Sequence, residues 1–240
     1  AKKPTWDRNN PPVTASSKAE SITYNNFYES MVKAVKHYPV EPIYMVYINN
    51  EQCYYELLIN DVIFDRYFTK GKRMSPFYIN SHILKSGKQT LTYRLYPNTG
   101  MGFETLAEFT NLKVEIGVVD QKKGISFSNM DTILVHQAAR NPDNTFIATG
   151  KDYYEFTLEF DAQVPYEEVG WTKSKDLRQM DPDTLLARTE LAYQYIIDLI
   201  KNKDKDTFAK INYEGSLIQY LNNYDSPEMI KDSFKLIEFY

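Results

Sequence analysis

The sequence predicts a mainly β protein with a helical C-terminal segment: an antiparallel β-sandwich followed by about three helices. Three patterns predict it. Apolar and polar residues alternate at a period of two in several stretches between residues 43 and 161, as in strands with one buried face. Asn60-Asp61 and Gly87 supply turn chemistry between such stretches. From Asp181-Pro182 onward, apolar residues recur at helical spacing instead.

In chain order, residues 1–26 are polar and broken by Pro4, Pro11 and Pro12, which predicts a flexible N-terminal arm. Asn26 to His37 reads as a short amphipathic helix, with Phe27, Met31, Ala34 and Val35 on one face. Pro39 and Pro42 end it. Ile43 to Ile48 is apolar on both faces, the mark of a central strand.

Cys53, Tyr55, Leu57 and Ile59 then share one face of an extended segment, and Tyr54, Glu56, Leu58 and Asn60 share the other. Asn60-Asp61 fits a two-residue hairpin turn, because both residue types tolerate positive φ. Val62 to Phe68 is the return strand. A loop and a half-buried stretch lead to Gly87, where a tight turn needs a residue without Cβ. Leu91, Tyr93 and Leu95 alternate with Thr90, Thr92 and Arg94 until Pro97, which cannot donate to a ladder.

Leu112, Val114, Ile116 and Val118 form another alternating set, Thr132 to Val135 a short strand, and Tyr154, Phe156, Leu158 and Phe160 the last, closed by Pro165. Six or seven strands place a sandwich domain at residues 27–165. A polar linker follows at 166–180 and a helical segment at 181–240. In that segment Asp181-Pro182 is an N-cap followed by proline at the first helical position. Leu185, Thr189, Ala192, Ile196 and Leu199 continue at helical spacing. Asp204 or Asp206 starts a second short helix. Ser226-Pro227 starts a third, with Ile230, Phe234 and Ile237 along it.

Within residues 54–96, the run from the Asn60 turn through Ile79-Asn80 and Ile83-Leu84-Lys85-Ser86-Gly87-Lys88-Gln89-Thr90-Leu91-Thr92 resembles galactose-binding-like β-sandwich modules. Those carry Asn-Gly in the hairpin and asparagine after the second glycine turn, where this chain has Asn60-Asp61 and Gln89. The resemblance implies a jelly-roll-like sandwich. It does not select a function, because such modules range from sugar binders to spacers.

Composition narrows the function classes. The net charge is −4, and Lys70, Lys72 and Arg73 are the nearest approach to a basic cluster; they read as solvating the loop after the hairpin. Nucleic acid is not an expected partner. No apolar run is long enough to span a membrane. The one cysteine, Cys53, excludes an intrachain disulfide and reads as a buried thiol. His37, His82 and His136 lack neighbours at metal-ligand spacing, so neither metal nor cofactor is expected. Ser30-Met31-Val32-Lys33 matches a serine–lysine nucleophile motif without its partner motifs and reads as helix surface.

Glu155, Glu159 and Asp161 share a strand face, with Glu155 and Glu159 roughly 13 Å apart by strand rise, too far for a glycosidase pair. They read as a solvated face. Twenty tyrosines suit sheet faces and recognition surfaces.

The expected function is a non-catalytic protein-binding module of the bacterial envelope, with an immunity-type protein that binds and inhibits an effector enzyme as its finer form. The start at Ala1-Lys2-Lys3 and the polar arm point to a periplasmic or exported location, with the cytoplasm as the alternative. A carbohydrate-binding module and a hydrolase with a dispersed carboxylate site are the competing readings. Tyr67, Tyr78, Tyr96 and Trp171 are the candidate binding residues.

Overall fold

A computed structural model describes residues 5–7 and 9–235. The chain forms two compact units, one of residues 38–168 and one that joins 1–37 to 169–240.

The first unit is a β-sandwich. Its strands are β1 (Pro42–Glu51), β2 (Cys53–Ile59), β3 (Val62–Tyr67), β4 (Met74–Tyr78), β5 (Gly87–Pro97), β6 (Asn111–Asp120), β7 (Asp131–Gln137) and β8 (Tyr154–Ala162). They make two four-stranded antiparallel sheets, ordered β4-β1-β6-β7 and β3-β2-β5-β8. The inward sets of the alternating strands fill the space between: Val46 and Ile48, Tyr55, Leu57 and Ile59, Leu91, Tyr93 and Leu95, Leu112, Val114 and Ile116 are all fully buried. Period-2 patterning puts every inward residue of a strand on one side, so sequence alternation and core membership coincide here.

The hairpin turns where its sequence expects it. Asn60 and Asp61 take φ of 49° and 66°, the paired left-handed conformation of a turn that matches strand twist. Asn60 is also a hub. Its Nδ2 donates to the His82 carbonyl (2.9 Å) and to Gln89 Oε1 (2.8 Å), and its Oδ1 accepts from the Thr90 N–H (3.1 Å). Gln89 Nε2 in turn donates to the carbonyls of Lys85 and Gly87. The Asn60 and Gly87 turns are therefore linked through side chains.

Strand β4 lies between the hairpin and Gly87, where the sequence predicts a loop and then a half-buried stretch. Pro76 masks it in sequence, yet β4 is an edge strand, where a missing donor costs no ladder bond. The cations after the hairpin are more than solvated loop. Arg73 pairs with Asp65 at 3.2 Å and lies over the Tyr67 and Phe77 rings, while Lys72 pairs with Glu51 at 2.6 Å. Asp65 also accepts from the Tyr55 hydroxyl, so it anchors the core margin. Cys53 is buried as expected, and burial pushes its thiol up to about 12.

The second unit is helical: α1 (Tyr24–Ala34), α2 (Pro182–Lys201), α3 (Lys205–Asn222) and α4 (Pro227–Lys235). Thr23 and Asn26 cap α1 reciprocally. Asp181 and Asp204 cap α2 and α3 by accepting from Thr184 and Thr207; Asp204 is thus the start of α3, which runs 18 residues rather than forming a short helix. Ser226 Oγ accepts from the Met229 N–H at the start of α4.

Residues 27–37, grouped with the sheets by sequence, belong here because Phe27 and Met31 bury against Ala209, Tyr213, Tyr220 and Ile230. The expected flexible arm also makes contacts in this unit. Trp6 packs edge-on against Tyr195 and donates to Asp198 (2.9 Å), and Ala19 and Ile22 are buried. Ile237, expected on the last helix, lies outside the described residues. Among the described residues, no helix is long and apolar enough to cross a membrane.

Candidate functional site

The strand register of the β3-β2-β5-β8 sheet turns four separate sequence motifs into rows on its outer face. Arg66-x-Phe68, Tyr54-x-Glu56, Arg94-x-Tyr96 and Tyr153-x-Glu155 each place an aromatic ring two residues from a charge, hence on the same side of its strand. Glu56 stands opposite both Arg66 and Arg94, Arg94 opposite Glu155, and Tyr54 opposite Tyr96. The result is a charge row, Arg66–Glu56–Arg94–Glu155, with signs alternating across the sheet. Beside it runs an aromatic row.

The aromatic row is continuous. Ring centroids lie 5.4 Å apart for Tyr54–Phe68, 5.3 Å for Phe68–Tyr96 and 5.4 Å for Tyr96–Tyr153, with planes inclined by 36°, 42° and 55°. Phe68 is 48% and Tyr153 41% exposed. A third row continues past the charges: Leu58 is opposite both Ile63 and Thr92, and Thr92 and Thr157 share a hydrogen bond at 2.8 Å.

Hydrogen bonds lock the two main rows together. Tyr96 donates to Glu56 (3.0 Å), Tyr153 to Glu155 (2.7 Å) and Arg94 Nε to Glu155 (2.6 Å). Arg94 also lies 3.6 Å from Glu56. The Tyr54 hydroxyl accepts from the Gly100 N–H. The hydrogen bond from Tyr153, with that from Arg94, holds the Glu155 carboxyl below its ordinary value. Burial, reinforced by the hydrogen bond to Glu56, pushes Tyr96 up to about 12. Glu155 therefore stays ionised and Tyr96 stays protonated across neutral pH. The surface presents rigid rings and fixed charges, which favours recognition over proton transfer.

Of the four sequence-named candidates, only Tyr96 belongs to these rows. Tyr67 points inward, stacked on Tyr55 at 5.8 Å beneath Arg73. Tyr78 is 55% exposed on β4 of the other sheet. Trp171 belongs to the helical unit. Tyr54, Phe68 and Tyr153 were missed, although the aromatic-x-charge spacing repeated on four strands is a signal that could have found them. Glu159 pairs with Lys88, and Asp161 stands on the same outward set as Glu155. Among the described residues, no group of three or more His, Cys, Asp or Glu is placed to hold a metal ion.

No protein-family model, curated protein or solved structure matches the chain.

Proposed function

We propose that this protein is a non-catalytic protein-binding module whose docking face is the outer side of the β3-β2-β5-β8 sheet. The observation that carries the reading is the aromatic row locked to a row of alternating charges. Tyrosine, phenylalanine and arginine are enriched at protein interfaces, and tyrosine and arginine at their energetic centres. Held on a sheet and bonded to one another, they lose little freedom on binding. A row of alternating charge selects a partner with the complementary order, since a shifted partner meets like charges.

The ring geometry favours a protein over a sugar at this face. The rings pack against one another at inclined angles, and their hydroxyls already serve Glu56, Glu155 and the Gly100 N–H. Sugar stacking needs a free ring face with spare polar groups around it.

The finer form of the proposal is an immunity-type protein of the bacterial envelope that binds and inhibits an effector enzyme. Kinship with galactose-binding-like modules belongs to the same proposal and rests on residues 54–96. The test is capture from an extract of the native cell, with the wild type compared with Phe68→Ala and Arg94→Ala. Tyr78→Ala, on the other sheet, serves as control. Proteins retained by wild type and Tyr78→Ala but lost from the other two support the reading. Equal retention by all four rejects it. In the finer form, the captured protein is an enzyme whose activity falls when this protein is added.

A further inference from the structure

The sandwich has four edge strands, β3, β4, β7 and β8, and three of them carry features that block pairing with another chain. Strand β4 has Pro76 at its centre. Strand β8 presents Glu155, Glu159 and Asp161 along its length. Strand β3 shifts register against β2 and carries Asp65 and Arg66. Proline, edge charges and irregularity are the devices that keep sheet edges from recruiting strands. Strand β7 is different. Beyond the register shift near Ile133, residues Leu134–Gln137 run regularly against β6. They contain no proline, lysine or acid. Val135 is 54% exposed, and the outer edge of β7 has no main-chain partner among the described residues.

Gln137, the last residue of β7, also lines a cleft of about 640 Å³ together with Glu51, Phe109, Asn111, Arg140 and Asn144, among others. Its charged groups are committed. Glu51 is paired with Lys72. Arg140 donates to the main-chain carbonyls of Glu108, Thr110 and Asn144. The side-chain donor and acceptor left without a partner are neutral. Gln137 Nε2 donates to Asn111 Oδ1 at 3.2 Å, which leaves Gln137 Oε1 as an acceptor and Asn111 Nδ2 as a donor. A peptide group offers the reverse pair. Phe109, 62% exposed, adds an apolar contact.

We infer that the β7 edge and this cleft take an extended, uncharged segment of a protein partner, which pairs with Leu134–Gln137 as an added strand and seats its end between Phe109 and the Asn111–Gln137 amides. Main-chain bonds along the edge supply affinity in such strand addition, and the terminal pocket supplies selectivity. This site is separate from the outer face of the β3-β2-β5-β8 sheet and does not depend on it.

The test screens a phage-displayed random peptide library against the full chain and then follows hydrogen exchange with a selected synthetic peptide. The expected peptides are uncharged and rich in β-branched residues. Their binding slows exchange at Leu134–Gln137, and each of Gln137→Ala, Phe109→Ala and Val135→Lys weakens it by about tenfold or more. Phe68→Ala, on the other face, leaves peptide affinity unchanged, so the two sites fail separately. Unaltered melting temperatures show that these surface variants fold. Four results overturn the inference: no peptide is selected, protection appears elsewhere, the β7 and cleft variants bind as wild type, or the cleft takes maltose, cellobiose or lactose and no peptide.

Discussion

Replacing Asn60 by alanine tests the link between the two turns that frame the 54–96 segment. The substitution removes the bonds to the His82 carbonyl, to Gln89 Oε1 and from the Thr90 N–H. Each is part-buried, and each contributes about 1 kcal/mol net. Alanine must also hold φ near 49°, which adds about 1 kcal/mol. The expected loss is therefore about 4 kcal/mol, a large share of a typical domain's stability.

Asn60→Asp keeps the backbone preference and the acceptor for Thr90 but loses the donor, so it should fall about 2 kcal/mol below wild type. Asp61→Gly, in the same turn, should stay within about 1 kcal/mol of it. Urea unfolding read by hydrogen exchange in β2 and β5 measures the sandwich. Emission from Trp6 and Trp171, both in the helical unit, reports that unit separately. A cost below about 1 kcal/mol for Asn60→Ala, no greater than that of an ordinary surface change, would refute the hub.

Three further outcomes are expected. Leu57→Ala, at a fully buried core position, should destabilise the sandwich by about 2–5 kcal/mol in the same exchange assay. Arg94→Ala should lower sandwich stability by no more than about 1 kcal/mol, because its ion pairs are partly solvated, while abolishing partner capture; a large stability loss would make Arg94 structural. Acidification should move the two units in opposite directions. Burial holds His82 and His136 below the ordinary 6.5, so their contribution is complete above that pH and is lost as pH falls through their lowered folded values. Burial raises Asp225 to about 6; its contribution is complete below the ordinary carboxylate value and is lost as pH rises through about 6. From pH 7 to 5, unfolding midpoints should fall by sandwich exchange and rise by tryptophan emission.

Much of the fold was legible because one physical quantity, the side a residue faces, controls both the sequence pattern and burial. Leu91, Tyr93 and Leu95 alternate in the chain and lie fully buried in the core. Caps were legible for the same local reason: Asp181 and Ser226 serve their own helices. Strand β4 was hidden by Pro76, since an edge position that tolerates proline is a fact about neighbours. The partners of helix α1 in the helical unit are not legible, because its apolar face says that it packs, without saying against what. The outer face escaped for a related reason. Phe68, Tyr54, Tyr96 and Tyr153 become one row only when strand register is known, and that register pairs residues as far apart in the chain as Gly87 and Ala162. Gln89, which departs from the resembled modules, proved to be the residue that ties Gly87 to Asn60.

Site-specific photo-crosslinking tests the docking face most directly. A photoreactive phenylalanine analogue is placed at Phe68, in the aromatic row, or at Tyr78, which is comparably exposed on the other sheet. The protein is then irradiated in an extract of the native cell. Discrete adducts with a protein partner from position 68, and none from position 78, are the expected result. Adducts from position 78 alone, or no adduct from position 68, would contradict the assignment.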